Sequence, residues 1–165
     1  VYIIQAAEEL IKTHPDILFL FVGEGDQEEE LKNLVRTKNL DKHIVFAGWL
    51  KESDVPSLLG VMDVFLHASY FETFGFAIAE AMLNGLPVVS TEVGAASDAI
   101  VHKENGYLIP VKSAAAIVAG VNFMLNTDTK TIVEKGRMTA LKMYAFEVMW
   151  KNYIGLYQRA LTKNN

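Results

Sequence analysis

Short apolar runs that alternate with helix-like segments limit what this chain can fold into more than any other feature. The runs are rich in β-branched and aromatic residues, and Gly, Pro, Asn or Asp residues bound them. The segments between them have helical periodicity and the spacing of βαβ units. The pattern therefore predicts an α/β fold, a doubly wound parallel sheet with helices on both faces. The predicted strands cover residues 17–22, 43–47, 63–66, 88–90 and 107–109.

The end of the chain follows a different pattern. Helices are predicted at 26–38 and 52–59 among the strands, but after Pro110 the periodicity is purely helical. These later helices are predicted at 114–125, 130–144 and 146–161. The last of them carries an apolar stripe that we expect to face the core, made of Phe146, Met149, Trp150, Tyr153, Ile154, Tyr157 and Leu161.

One strand of the expected sheet has no counterpart in the sequence. Six-stranded sheets of this kind have the spatial order 3-2-1-4-5-6, and only strands two to six can be matched here. The chain also enters a helical pattern directly at Val1, without a capping residue. We therefore expect a single domain over 1–165 that lacks its first strand, which belongs in the middle of the sheet.

Composition excludes several classes of function. The chain has 165 residues, 51% of them hydrophobic, which is enough for one complete core. Its formal net charge of -5 is spread along the sequence, so no basic face for nucleic acid is expected. There is no cysteine, no signal peptide and no long apolar run. His14, His43 and His102 have no carboxylate or second histidine at metal-ligand spacing. These features predict no metal site and a cytoplasmic protein.

A helix start near residue 74 is the first candidate for binding. Thr73 can serve as its N-cap, which would place Phe74, Gly75 and Phe76 in the first turn. The N–H groups of a first turn have no partner within the helix, and a glycine there allows an anion to approach the backbone closely. The sequence therefore predicts an anion site.

Two carboxylates accompany this helix start. Glu72 lies just before the helix, and Glu80 lies inside it among alanines, eight positions later. A charge in such apolar surroundings needs hydrogen-bond donors, and the hydroxyl groups of a ligand would supply them. The alternative is an ordinary crossover helix, with Glu72 on a solvated loop and Glu80 paired to a Lys or Arg from elsewhere.

Motifs along nearly the whole chain resemble the glycosyltransferase group 1 family. The donor-site pattern of that family is matched by Glu72-Thr73-Phe74-Gly75, Glu80-Ala81-Met82, Gly85, Pro87-Val88-Val89 and Gly94. Further matches, in order, are Pro15, the run 18–22, Gly23-Glu24-Gly25-Asp26, Ile44-Val45-Phe46-Ala47-Gly48, Asp63-Val64-Phe65-Leu66 with Ser69, and Asn105-Gly106-Tyr107-Leu108-Ile109-Pro110.

The resemblance implies a Rossmann-like domain, one half of a GT-B architecture, that binds a nucleoside diphosphate sugar. The parent enzyme would be a hexosyltransferase of glycan biosynthesis that retains the anomeric configuration without a metal or other cofactor. Glu80 would accept from ribose hydroxyls, and Glu72, the candidate catalytic residue, would face the donor sugar. The N–H groups of the predicted anion site, next to Thr73, would stabilise the diphosphate.

Other turns are implicated by the same resemblance. The loop at Gly23 would border the nucleotide, and the turn of Gly48, Trp49 and Leu50 would contact its base. Trp49 could equally pack on Phe46 or Leu50. His67 is predicted at the end of the third strand, near Glu72, where it could approach the sugar or the phosphate, but we expect it to be an ordinary packed or exposed side chain. Ala95 stands where the family has a second glycine, and its methyl group would limit how closely a sugar or phosphate approaches this turn. Asp98 is expected to have a structural role, as a helix cap or in an ion pair.

The remaining expectations concern the parent enzyme. An N-terminal domain outside this chain would bind the acceptor, which is a glycan, a lipid or a small molecule, and the enzyme could associate peripherally with a membrane. The resemblance also implies that the last helix crosses back to that domain, so that part of its apolar stripe is exposed in this chain and promotes association. The absent first segment would carry an Arg and a Lys for the diphosphate, so this chain alone is expected to be inactive. Two alternatives remain open: a noncatalytic nucleotide-binding or interaction module, and a sugar-nucleotide epimerase.

Overall fold

Five parallel strands form the framework, as the alternating pattern predicts. The structure, a computed structural model, describes residues 1–162. The strands lie close to their predicted positions, although β3 begins and ends later than expected because its pairing with β4 runs from Phe65 to His67. They are β1 (Phe19–Val22), β2 (Ile44–Gly48), β3 (Phe65–His67), β4 (Val88–Thr91) and β5 (Tyr107–Ile109).

Eight α-helices connect and cover the strands in the described residues. The prediction for 52–59 is resolved into a 3₁₀ turn (Glu52–Asp54) and a helix, and the short helix after Gly94 was not predicted. The first helix has Val1 as its N-cap and no side-chain cap, as expected. The helices are α1 (Tyr2–Thr13), α2 (Glu28–Thr37), α3 (Val55–Leu59), α4 (Phe76–Leu83), α5 (Ala95–Ala99), α6 (Ala114–Asn126), α7 (Lys130–Tyr144) and α8 (Phe146–Thr162).

The strands are divided between two parallel sheets. One has the order β1-β2 and the other β3-β4-β5, so β1 and β3 are each paired on one side only within residues 1–162. All four residues of β4 are buried, whereas β1 and β3 are only partly buried. Within residues 1–162 β1 has a neighbouring strand along one edge alone, and none of its four residues is fully buried.

Helix α1 packs against both sheets and unites the core. Leu10 shares a cluster with Phe19 of β1 and Leu66 of β3. On its other flank, Ile4 packs with the β2 residue Ile44. Removing these apolar side chains from water supplies the main driving force that holds the two sheets around the helix.

The apolar stripe of α8 does not face the core. The structure shows no buried residue in this helix, and large aromatic side chains such as Trp150 and Tyr157 are more than half exposed. The expectation of a core-facing stripe was therefore wrong, and the exposure that the family resemblance implies is found. Within residues 1–162 α8 packs mainly on α7. No helix within residues 1–162 is long and apolar enough to span a membrane.

Candidate functional site

The start of α4 is built by glycine. Gly75 is the N-cap, in the left-handed conformation with φ 84°, and no side chain caps the helix. The prediction that Thr73 is the N-cap was therefore wrong, and the helix begins at Phe76. Glycine occupies this position because a left-handed conformation carries no steric penalty without a Cβ atom.

The predicted N–H groups are unpaired at this helix start, but only Phe76 lies in the first turn, because Phe74 and Gly75 precede the helix. Within residues 1–162 the N–H groups of Phe74, Gly75 and Phe76 donate no hydrogen bond, while the Ile78 N–H donates to the Gly75 carbonyl at 3.0 Å. The Phe76 side chain is 73% exposed, so solvent and solutes reach this end of the helix. Free donors at the positive end of a helix dipole favour an anion.

Glu80 lies one turn inside α4 and is partly buried. Its carboxylate has no hydrogen bond and no ion pair within residues 1–162. The alternative in which a Lys or Arg neutralises Glu80 is thus not supported by the described part of the chain. A partly desolvated carboxylate without protein donors is suited to accept hydrogen bonds from a ligand.

Glu72 is tied to a histidine from the neighbouring strand. The Nε2 atom of His67 lies 3.2 Å from Oε1 of Glu72, and the side chains are 14% and 30% exposed. Ser69 Oγ lies 3.3 Å from the same nitrogen. The sequence led us to expect an ordinary packed or exposed side chain at His67. The structure shows instead that His67 belongs to the site, because it contacts Glu72.

The turn at Gly94 supports the loop that carries Glu72. The Ala95 N–H donates to the Phe74 carbonyl, and a Cβ atom on Gly94 would lie 2.9 Å from Cβ of Glu72. Ala95 is only 2% exposed, so its methyl group is packed and does not project into solvent. The departure from the two-glycine pattern therefore places no side chain over the site. Asp98 neither caps a helix nor forms an ion pair in the described residues, contrary to expectation.

Tyr144, at the end of α7, packs against the loop of Phe74 and the turn at Gly94. The sequence did not predict it as part of the site. Its ring lies edge-on to Phe74, with 5.2 Å between centroids, and its hydroxyl donates to the Ala95 carbonyl at 3.3 Å. Burial raises the pKa of the Tyr144 phenol, and the negative charge of Asp98 raises this pKa further. No local motif could identify Tyr144, because its partners are distant in sequence.

We expect the Tyr144→Phe variant to lose about 0.5–1.5 kcal/mol of unfolding free energy, the usual value of one hydrogen bond. Above the ordinary tyrosine pKa of about 10 the unfolded chain ionises before the folded protein, because folding raises the pKa of Tyr144. The difference in unfolding free energy between the wild type and Tyr144→Phe should therefore be present below pH 10. It should shrink as the pH rises through the folded-state pKa of Tyr144. Urea unfolding at pH 7 and at pH 10.5 would check both expectations, and equal stability at pH 7 would contradict the first.

The glycine turns after β1 and β2 form a second group. The Gly23 N–H donates to the Gly48 carbonyl at 2.8 Å, and both glycines have positive φ. Trp49 is 75% exposed and Leu50 is partly buried, while Phe46 stacks on Phe21 instead. The alternative in which Trp49 is a packed residue is not supported, and its indole is available to a flat ligand.

The structure thus brings the predicted site residues together in two groups, one at the strand ends of each sheet. Within residues 1–162 no hydrogen bond or ion pair links the group of Gly23, Gly48, Trp49 and Leu50 to the α4 group. Across the same residues, no cluster of three or more His, Asp or Glu side chains could hold a metal ion.

Comparisons with known proteins agree on one family. A family profile described as "Glycosyl transferases group 1" matches residues 1–139. The alpha-monoglucosyldiacylglycerol synthase of Acholeplasma laidlawii is 28% identical over 163 residues, which is 99% of this chain and 41% of that protein. The chain spans about two-fifths of the length of such curated relatives.

Solved structures show the same architecture. The C-terminal domain of a glycosyl transferase group 1 family protein (LpcC) from Francisella tularensis is 30% identical, with a TM-score of 0.79 over 88% of this chain and 78% of that one. The HepE protein of Anabaena, solved in complex with UDP-glucose, is 26% identical, with a TM-score of 0.82 over 95% of this chain and 44% of that one.

Proposed function

Because the chain belongs to the glycosyl transferases group 1 family, we propose that it is the donor-binding domain of an enzyme that moves a sugar from a nucleoside diphosphate sugar to an acceptor. The observation that carries this proposal is the arrangement at α4. Unpaired N–H groups and an unpaired, partly buried carboxylate lie one turn apart, which suits a diphosphate joined to a ribose. The UDP-glucose bound by the Anabaena relative supports this donor class.

Each part of the α4 group has a role in this proposal. Cleavage of the bond between the anomeric carbon and the diphosphate leaves negative charge on the leaving group. The N–H groups of Phe74, Gly75 and Phe76, with the adjacent Thr73, stabilise that charge at the positive end of the helix dipole. Glu80 accepts from the ribose hydroxyls, while Glu72 accepts from hydroxyls of the donor sugar. No metal is needed in this scheme, and transfer proceeds with retention of the anomeric configuration.

The glycine-turn group receives the base of the nucleotide. Gly23 and Gly48 lie at the ends of parallel strands, which is the edge where open α/β sheets bind ligands. The exposed Trp49 offers a flat apolar surface for a base, and Leu50 lies beside it. The backbone groups of these turns would select among uracil, guanine and adenine.

Further segments outside residues 1–162 complete the enzyme. In a six-stranded doubly wound sheet, the strand that separates the two halves lies between the positions of β1 and β3. The unpaired edges of β1 and β3 and their partial burial support a strand there that this chain does not supply. A separate N-terminal domain would bind the acceptor glycan, lipid or small molecule.

Nucleotide binding tests the proposal most directly. We expect one of UDP, GDP and ADP to raise the thermal unfolding midpoint of the whole protein that carries this sequence. At about one hundred times the dissociation constant, a ligand adds roughly 2.7 kcal/mol of stability. The nucleotide that acts identifies the base. If none of the three shifts the midpoint at millimolar concentration, the donor-site assignment fails.

Product analysis separates the alternatives. Incubation with the matching nucleotide sugar and an acceptor mixture gives a glycoside from a transferase, an isomeric nucleotide sugar from an epimerase, and neither from a noncatalytic module. The anomeric proton coupling of a glycoside product reports whether the configuration was retained. The buried methyl group of Ala95 removes one argument for a noncatalytic module, since it does not obstruct the site.

A further inference from the structure

His67 and Glu72 form a polar pair beside the α4 group, although the sequence favoured an ordinary packed or exposed role for His67. Glu72 lies on the connection between β3 and α4, and its backbone N–H and carbonyl make no hydrogen bond within residues 1–162. The carboxylate has one polar contact in those residues, the 3.2 Å approach of His67 Nε2 to Oε1. The orientation of the Glu72 side chain therefore depends on the His67 ring.

The chemistry of the contact determines which nitrogen carries the proton. An ionised carboxylate only accepts hydrogen bonds, so the His67 Nε2 atom must be the donor to Glu72. The ring itself is held in place, because it stacks on Phe65 with 6.4 Å between centroids and is 14% exposed. His67 thus presents a fixed N–H group to a carboxylate that otherwise lies on a connection of irregular structure.

The other ring nitrogen points to a purpose beyond packing. His67 Nδ1 is buried and has no hydrogen-bond partner within residues 1–162. An apolar residue would fill the same space without leaving a buried polar atom unsatisfied. A buried polar atom without a hydrogen bond lowers the free energy of unfolding. The polar ring is therefore explained by what its Nε2 atom does for Glu72 and not by the requirements of the core.

We infer that His67 is a positioning residue that holds the Glu72 carboxylate toward the donor sugar. The inference rests on the proposed function, in which Glu72 accepts from sugar hydroxyls and Glu80 from the ribose. It assigns His67 to the sugar part of the donor only. The nucleotide part is held by α4 and the glycine turns, which His67 does not contact through any hydrogen bond in the described residues.

Two variants at this position separate positioning from packing. His67→Leu fills the space of the ring with an apolar side chain that has no hydrogen-bond donor. His67→Gln is polar and places an N–H donor near the position of His67 Nε2. We expect His67→Leu of the whole protein to bind UDP-glucose about tenfold more weakly and to bind UDP within about twofold of the wild type. His67→Gln should recover most of the loss. GDP-glucose and GDP, or ADP-glucose and ADP, replace this pair if GDP or ADP is the nucleotide that stabilises the protein.

A double-mutant cycle with Glu72→Ala completes the test. If His67 acts through Glu72, His67→Leu adds no further loss of UDP-glucose affinity in the Glu72→Ala background. Equal weakening of UDP and UDP-glucose, failure of His67→Gln to recover affinity, or additive losses in the cycle would each overturn the inference. A wild type that binds none of the three nucleotides and none of their sugars would overturn the proposed function and this inference together. Intact wild-type binding with additive losses would overturn only the role of His67.

Discussion

The Glu80→Ala variant is expected to bind its nucleoside diphosphate about 10- to 100-fold more weakly than the wild type. One hydrogen bond to a charged group contributes about 1.5–3 kcal/mol, and the expected change corresponds to the net loss of one such bond between Glu80 and the ribose hydroxyls. Its carboxylate has no partner within residues 1–162, so the wild-type site has acceptor capacity that a ligand can use. Isothermal titration calorimetry on the whole protein would measure the loss.

The stability of the same variant distinguishes lost binding from lost folding. Alanine has the highest helix propensity, and Glu80 makes no contact with a cation in the described residues that its removal would break. The unfolding midpoint without nucleotide should therefore stay within a few degrees of the wild-type value. Glu134→Gln, an exposed carboxylate of α7, is the matched control and should leave binding unchanged. An unaltered dissociation constant in Glu80→Ala would exclude Glu80 from the site.

The Gly94→Ala variant is expected to lose about 3 kcal/mol or more of unfolding free energy. Gly94 has φ 51° and ψ -133°, a conformation that residues with a Cβ atom rarely adopt. The added Cβ atom would also lie 2.5 Å from the Phe74 carbonyl oxygen, which is a backbone atom and cannot move aside as a flexible side chain could. Strain and steric overlap therefore act together.

The position of Gly94 links this loss of stability to function. The same Cβ atom would lie 2.9 Å from Glu72 Cβ, so relief of the overlap must displace the loop that carries Glu72 and Phe74. We expect weaker nucleotide-sugar binding at a temperature where the variant is still folded. Urea unfolding and calorimetry would measure the two effects. Gly25→Ala, whose Cβ atom would meet nothing within 4 Å, is the control for stability. Equal stability of Gly94→Ala and the wild type would show that the two loops are not packed as described.

The sequence was most informative where one short segment contains all the determinants of a structure. The five strands could be predicted because each is a continuous apolar run between turn residues, and β5 was located to the residue. The α4 helix with Glu80 inside it and Glu72 before it followed from local periodicity. Within the same segment the N-cap was assigned to Thr73 instead of Gly75, since propensity favours a hydroxyl residue and the left-handed conformation of Gly75 depends on how the loop packs.

Other features could not be predicted because their partners are far apart in the chain or absent from it. Tyr144 reaches Ala95 and Phe74 only after α7 has packed on α4, and no spacing rule connects these residues. The stripe of α8 has the periodicity of a core helix, yet periodicity states only that a face is apolar and not what covers it. In residues 1–162 little covers that face.

The sequence by itself determined the strands, the helices other than the short α5, the family and the positions of the two carboxylates around α4, because hydrophobic periodicity and short motifs are properties of neighbouring residues. Only the tertiary structure decided that His67 contacts Glu72, that Gly94 supports the loop of Phe74, and that the methyl group of Ala95 is buried. Within residues 1–162 the sheet was likewise found in two parts, and β1 and β3 are each paired along one edge only. These features depend on which strand ends and loops are brought side by side, and such contacts between segments are formed by packing of the whole domain.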